Sequence, residues 1–311
     1  MRVLLTGGAG FIGSRLIAHL QAARIDVVSI GRSPLRSSGE IRHVLVPGGL
    51  DGSSARKALE GEAFDAILHL AAAGVHPLDR SPEVLIQVNG FLPSELVSLA
   101  HDLGCRAFLM TGTNSEYASF DGNRLDEATP LETRKLYGAT KAAGAMLAVA
   151  KGAALGVSST NLRLFNVYGP GEAPHRLLPS LRNALLEKQT APLSEGHQLR
   201  DFVHIDDACR AILGALAAAL DGTLPGGHYN VCSGIATSVR DFALHVAQAM
   251  RADTALLQFG AIPLRPDDQP RVIGNPDALA SHISWHPRFT VTEGIQATIA
   301  ELSQTDLLGT P

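Results

Sequence analysis

Cysteine is scarce in this chain, aromatic residues are few, and no charge of one sign is concentrated anywhere. Three cysteines stand in 311 residues, at Cys105, Cys209 and Cys232, and none belongs to a C-x-x-C pair. That spacing excludes a disulfide framework and a cysteine zinc site, and reads as buried thiols in a reducing compartment. No other metal site is expected. His282 and His286 share i, i+4 spacing, but Pro287 follows at once and no third ligand lies near. Lys and Arg number 26 against 30 Asp and Glu, with no basic cluster, so nucleic acid is not an expected partner. The longest apolar run, Ala211–Leu220, is too short to span a bilayer. The apolar start is broken by Gly7, so no signal peptide is read there and a cytoplasmic protein is expected. Internal repeats and low-complexity tracts are lacking; Pro34–Gly39 and Gly48–Ser54 read as ordinary loops.

Glycine, by contrast, is clustered where the chain begins. Val3–Thr6 is a short apolar run of strand length, and Gly7, Gly8, Gly10 and Gly13 follow it. An amphipathic helix opens near Ile12. Strand, glycines and helix N-terminus in that order suit a dinucleotide's pyrophosphate. The phosphates must approach the backbone where a Cβ would block them, and the first helical turn offers N–H groups and a positive dipole. A tight turn lined with small residues is the alternative.

Strand-like and helix-like segments alternate through the first half. Val27–Ile30, Val44–Val46, Ala66–Ala71, Ala107–Thr111 and Ser159–Leu164 read as strands. Ile12–Ala23, Ser53–Glu60, Ser81–Leu103 and Leu136–Leu155 read as helices. The alternation implies α/β architecture, a doubly wound parallel Rossmann sheet with ligands at the carboxyl ends of its strands. After Gly169-Pro-Gly171 helices dominate: His175–Glu187, Asp206–Leu220, Ser238–Met250, Pro276–Ser281 and Thr292–Ser303. Thr290 and Glu293 stand in capping-box spacing before the last. Short strands are expected near Gln198–His204, Tyr229–Val231 and Leu256–Phe259. The expected division is a dinucleotide-binding domain over 1–166, with a returning strand near 228–232, and a smaller, mostly helical lobe over 167–227 and 233–311.

The helix over 136–155 has almost no polar face, so both sides need cover. One side would pack on the sheet. Helix 91–103 of a second subunit could cover the other, giving a twofold homodimer through helices 91–103 and 136–155. Cover from within the chain is the alternative.

Tyr137 and Lys141 open that helix four residues apart, on one face. An ammonium beside a phenol favours the phenolate, which turns a tyrosine into a general acid/base for carbinol–carbonyl interconversion. Thr113, at a strand end, could bond the same substrate oxygen.

These pieces resemble the extended short-chain dehydrogenase/reductases, the NAD(P)-dependent nucleotide-sugar epimerase/dehydratase/reductase family. Leu70-Ala-Ala72, Asn89, Leu162-Arg-Leu-Phe-Asn-Val-Tyr-Gly-Pro-Gly171, Arg200-Asp-Phe-Val-His-Ile-Asp-Asp207, Arg265-Pro-Asp-Asp268, Asn275-Pro and Trp285-His-Pro287 are similar to its segments. The resemblance implies catalytic roles for Thr113, Tyr137 and Lys141. It implies cofactor contacts from Gly7, Gly10, Phe11, Ile12, Gly13, Leu70, Ala71, Ala72, Asn89, Tyr137 and Lys141. It implies substrate contacts from Thr113, Asn114, Asn166, Arg200 and Arg265, the last three on the diphosphate of a nucleotide-linked sugar. Guanidinium forks suit phosphate oxygens. Surface ion pairs with Asp201 or Asp267 are the alternative for the two arginines.

Departures from the family pattern matter as much. The carboxylate expected at the end of the second strand, where it would hold the ribose of NAD, is replaced by Gly31, with Arg32 and Ser33 next. Arginine and serine there favour the 2′-phosphate of NADP(H), NAD remaining the alternative. Family dehydratases carry an Asp-Glu pair where this chain has Asn114 and Ser115. Family decarboxylases place a Glu, and C3/C5-epimerising reductases a Cys, at the position of Ser115. What remains is simple redox chemistry at a sugar carbon, first as reduction of a 4-keto-6-deoxy sugar nucleotide. A nucleotide-sugar 4-epimerase with tightly held NAD is the runner-up, and a non-catalytic dinucleotide-binding protein the third reading. Glu116 reads either as an acid acting from behind the site or as a solvated turn residue. The loop Gly74-Val-His76-Pro77 could add a substrate contact, or its histidine could be structural.

Overall fold

The computed structural model describes residues 1–35, 41–76, 81–265 and 268–308. Pro77, Asp267 and part of the Pro34–Gly39 loop lie outside them. Six strands follow one another through the first half: β1 (Arg2–Thr6), β2 (Asp26–Gly31), β3 (Arg42–Leu45), β4 (Ala66–His69), β5 (Ala107–Thr113) and β6 (Ser158–Leu164). Strand Gly227–Val231 joins them beside β6, so the returning strand is real. The seven strands run Gly227–Val231, β6, β5, β4, β1, β2, β3, every pair parallel. Val3, Leu4 and Leu5 are fully buried because helices cover both faces, which is why β1 is apolar throughout rather than alternating.

Strand order reverses at β1, which pairs with β2 on one side and β4 on the other. The crevice for a ligand therefore opens outside the carboxyl ends of β1 and β4. One face of the sheet carries α1 (Phe11–Ala22); the other carries helices Leu92–Asp102 and Leu136–Leu155. Helix Ile205–Asp221, read from its place in the chain as part of the second lobe, packs instead with α1 against the sheet. Its apolar stripe, Ala208, Ala211, Ile212 and Ala215, is as buried as the strands it covers. Arg15 of α1 locks the pair by a two-pronged contact with Asp206 at 2.7 and 2.9 Å and reaches Glu301 of the last helix at 2.9 Å.

The helix expected over 81–103 contains a π-helical turn, Ile86–Phe91, between α-helical segments Pro82–Leu85 and Leu92–Asp102. Pro93 has no N–H to give the Asn89 carbonyl, and the Leu92 N–H reaches back to Gln87 instead. The extra residue absorbs what an α-helix could not.

The second lobe has its own core. Phe202 stacks on Phe242 at 4.1 Å, and Tyr168 meets Phe242 edge-on at 5.3 Å. Helices Leu177–Leu186, Val239–Ala249 and Val291–Leu308 surround them. The capping box before the last helix forms, with Thr290 N–H donating to Glu293 at 2.9 Å. The Gln198–His204 segment holds two strands of two residues each, Leu199–Arg200 and Val203–His204. Among the described residues no helix is long and apolar enough to cross a membrane.

Candidate active site

The first wall of the crevice is backbone. Gly7 has a φ of +76° and lies against Leu70 and Ala71, where a Cβ would come 2.5 Å from the Ala71 nitrogen. A Cβ on Gly13 would fall 2.1 Å from the Gly7 carbonyl. These contacts draw β1, the residues after β4 and the start of α1 to backbone distance. Gly10 caps α1 without a side-chain bond, leaving the first-turn N–H groups of Phe11, Ile12 and Gly13 toward the crevice. The residues fit a pyrophosphate. Beneath the loop, the Thr6 hydroxyl bonds His69 Nδ1 at 2.7 Å and accepts the Ala71 N–H at 3.3 Å. Burial, with Lys141 nearby, pushes His69 down to about 3, so its ring is neutral.

Strand β4 ends at His69, and the Leu70–Ala72 residues expected as its continuation turn out of the sheet. Asn89 is buried, and its amide is spent on Ala73, accepting the N–H at 2.9 Å and donating to the carbonyl at 3.1 Å. Arg32 and Ser33 are exposed just past β2. The Ser33 carbonyl takes a contact from His43 at 3.0 Å. At Gly31 a Cβ would meet only His43, at 3.8 Å. Packing therefore does not forbid a side chain there.

The second wall comes from β5 and helix Leu136–Leu155. A Cβ on Gly138 would fall 2.0 Å from the Ser115 carbonyl, so the helix start is drawn against the turn that follows β5. Tyr137 and Asn114 line a cavity of about 320 Å³ there. One turn on, Lys141 is buried and donates to the Thr111 carbonyl at 2.7 Å. Burial pulls its pKa down, and the charge of Glu116 opposes that pull.

Thr113 ends β5 and caps the short 3-10 turn Asn114–Glu116. Its hydroxyl accepts the Ser115 N–H at 3.2 Å, and its own N–H donates to Glu116 at 3.0 Å. Glu116 is neither solvated nor turned toward the cavity. It is fully buried, and its other oxygen accepts from Asn161 at 2.9 Å and from Arg163 at 2.8 Å. Arg163 also donates to the Tyr117 hydroxyl at 3.0 Å, which donates to Asn230 at 2.6 Å.

Asn166, Arg200 and Arg265 line the same cavity as Tyr137 and Asn114. With Asp268 they continue into a second cavity of about 420 Å³ under the lobe. Arg200 pairs with Asp268 and donates to the Leu199 and Gln269 carbonyls at 2.8 and 2.9 Å. Its partner is therefore not Asp201, as the surface-pair alternative had it. Asp201 is fully buried and accepts from the backbone of Ser233, Gly234 and Gly274 and from the Ser233 hydroxyl. Asn166 donates to the Asp201 carbonyl at 3.3 Å.

Several cavity residues escape a reading of sequence. Glu132 accepts the Arg134 and Lys135 N–H groups at 2.6 and 3.2 Å, capping the helix that bears Tyr137. An acid three residues before a helix was a visible signal for it. Glu172 lines the second cavity with its side chain almost wholly buried, and burial raises it to about 7 against the pull of Arg176. His76 stacks edge-on with His175 at 4.4 Å beside it. Nothing in the local sequence marks that pair.

Residues 3–232 match the profile of the NAD dependent epimerase/dehydratase family. A dTDP-glucose 4,6-dehydratase of Actinoplanes sp. is 28% identical over 324 residues, covering 96% of this chain and 97% of that protein. The solved structure of MoeE5 in complex with UDP-glucose and NAD superposes with a TM-score of 0.85 at 28% identity, covering 99% of this chain and 100% of that one. The UDP-glucose 4-epimerase of Thermus thermophilus, in complex with NAD, has a TM-score of 0.83 at 26% identity, covering 97% and 99%. A matching profile over most of the chain, on a fold shared end to end, makes this protein a member of the NAD dependent epimerase/dehydratase family.

Proposed function

We propose that the chain is an NADP(H)-dependent reductase of a 4-keto-6-deoxy sugar nucleotide. The observation that carries this reading is the turn after β5. It presents Asn114 and Ser115 to the cavity, while its one carboxylate, Glu116, is buried beneath and saturated by three donors. The other carboxylates at that cavity's wall are engaged too, Glu132 by helix N–H groups and Asp268 by Arg200. Elimination of water needs an acid/base pair at the sugar; this wall offers a phenol and amides instead.

Gly7, Gly10, Phe11, Ile12 and Gly13 would cradle the pyrophosphate, backed by Leu70, Ala71 and Ala72, with Asn89 fixing the loop through Ala73. Arg32 and Ser33 would hold the 2′-phosphate. The open space at Gly31 supports that choice, because a carboxylate would fit sterically and is missing for chemical reasons. The bound nicotinamide supplies the hydride that reaches C4. Tyr137 donates the proton to the new alkoxide. Thr113 orients the carbonyl, and the buried Lys141 ammonium favours the phenolate left behind. Asn166, Arg200 and Arg265 hold the diphosphate where the sheet domain (1–166) faces the lobe (167–227 and 233–311), with Asn114 on the sugar.

We further infer a cytoplasmic homodimer. Helix Leu92–Asp102 of the same chain already covers one side of helix Leu136–Leu155. Phe91, Met146 and Leu147 remain about half exposed beside it, an apolar strip that a second copy would bury.

The likeness to a UDP-glucose 4-epimerase supports a second reading, a nucleotide-sugar 4-epimerase with retained NAD. Denaturing the purified protein and identifying any released nucleotide separates the two. The reductase should release little and should consume NADPH absorbance when given a 4-keto-6-deoxy sugar nucleotide. Stoichiometric NAD, with interconversion of 4-epimers and no net cofactor use, would overturn it.

A further inference from the structure

Glu116 lies one layer beneath the cavity, yet it touches the strand end that bears Thr113 and the field around Lys141. Its Oε1 takes the Thr113 N–H at 3.0 Å, and its Oε2 takes Asn161 and Arg163 of β6. A Cβ on Gly112 would fall 2.3 Å from Oε1, so the strand is bare where the carboxylate crosses it. Arg163, equally buried, carries the contact on to Tyr117 and through it to Asn230 of the edge strand. A buried ion pair of this kind adds little to stability compared with an apolar pair of the same volume, so its presence asks for another purpose.

We propose that Glu116 is a positioning residue: it fixes the Thr113 turn and places a negative charge behind the Tyr137–Lys141 pair. The groups that face this charge are Arg163 and Asn161 from β6, His228 from the edge strand, Tyr117 from the turn itself and Lys141 from the helix. Lys141 in turn faces His69, neutral and buried, from β4, and the Thr111 carbonyl from β5. Glu116 therefore stands as the anion that keeps Lys141 an ammonium in a buried place. The same charge holds the Tyr137 phenol protonated to higher pH. An acid for reduction needs that proton, so removing the charge moves the alkaline limit of the reaction to lower pH. This rests on the reading of Tyr137 as the proton donor.

The test reads Tyr137 in the protein alone, without sugar nucleotide, so it stands apart from the choice of substrate. Phenolate absorbance near 295 nm is titrated in each protein and in its Tyr137→Phe counterpart, and the difference isolates Tyr137 from the other tyrosines. Glu116→Gln should lower the Tyr137 midpoint by about one pH unit, the effect of one charge through a partly screened interior. Glu116→Asp should return the midpoint toward the wild-type value even where its melting temperature stays low. Should Glu116→Gln fail to fold because Arg163 is left unpaired, Glu116→Gln with Arg163→Met removes both charges, and the shift keeps its direction. A folded variant lacking the Glu116 charge with an unmoved Tyr137 midpoint overturns the proposal and leaves Glu116 a purely structural group.

Discussion

At the carboxyl edge of the main sheet, functional side chains are placed by backbone; across the cleft they are placed by other side chains. Gly13 against the Gly7 carbonyl and Gly138 against the Ser115 carbonyl set how closely α1 and the Tyr137 helix approach the strands. No side chain adjusts those distances. The lobe wall is built from strands of two residues. Its Arg200 is aimed by Asp268, and the loops behind it hang on Asp201, which serves Ser233, Gly234 and Gly274 at once. A rigid wall suits chemistry, where a misplacement of an ångström costs rate; a wall of ion pairs suits recognition of a charged ligand. The two walls should therefore fail differently when mutated.

The largest effect belongs to the rigid wall. Tyr137→Phe removes a proton donor without changing the helix that carries it. Single-turnover oxidation of NADPH should slow by roughly 10²–10⁴-fold. Binding of cofactor and sugar nucleotide should stay near wild type. Near-normal turnover would mean the proton comes from elsewhere and would break the comparison at its strongest point.

On the lobe wall, Arg265→Ala should do the reverse. Loss of a charge-assisted contact costs on the order of 1.5–3 kcal/mol in sugar-nucleotide affinity. Calorimetric titration should show that loss, with cofactor affinity unchanged and the single-turnover rate at saturation nearly so. Unchanged sugar-nucleotide binding would remove Arg265 from the diphosphate.

Glu172 sharpens the contrast through pH. Its folded pKa of about 7 lies above the ordinary glutamate value of 4.5, because burial disfavours the carboxylate. Between those values the folded chain keeps a proton that the unfolded chain has released. Stability from this group is therefore fully present below about pH 4.5 and is lost as pH rises through 7. Glu172→Gln, a neutral isostere, should flatten that slope and raise stability at pH 8 by about 2 kcal/mol, seen in urea unfolding at several pH values. An unchanged slope would assign the lobe's pH response to other groups.

The same division decides what could be read before the fold was known. The six strands, α1 and the Tyr137 helix were visible because apolar runs of strand length, glycine spacing and i, i+4 pairing are local properties. So was the fit of Gly7, Gly10 and Gly13, whose contacts lie within one loop and its neighbour. The partner of Arg200 was not visible. Asp268 is 68 residues away, and the adjacent Asp201 looked equally good until burial turned it toward Gly234 and Gly274. Glu116 was misread in both its alternatives because nothing local reveals that Asn161 and Arg163, 45 and 47 residues on, supply donors beneath the turn. Helix Ile205–Asp221 follows the lobe's first segments in sequence, yet packs on the sheet because its alanine stripe matches α1.

Arg32 tests whether the rigid wall holds one adjustable element. It sits past the end of β2, exposed, outside the glycine-set contacts that fix the rest of the cradle. An exposed guanidinium on a phosphate is partly screened, so its worth should be about 1 kcal/mol, roughly a fivefold change. Arg32→Ala should weaken NADPH by that factor, measured by fluorescence titration, and leave NADH nearly untouched. Gly31→Asp, which the open space beside His43 can accommodate, should push preference further toward NADH by placing a carboxylate against the 2′-phosphate. If Arg32→Ala weakens both nucleotides equally, or if the wild type already binds NADH better, the ribose end is not read by Arg32 and NAD is the cofactor of this crevice.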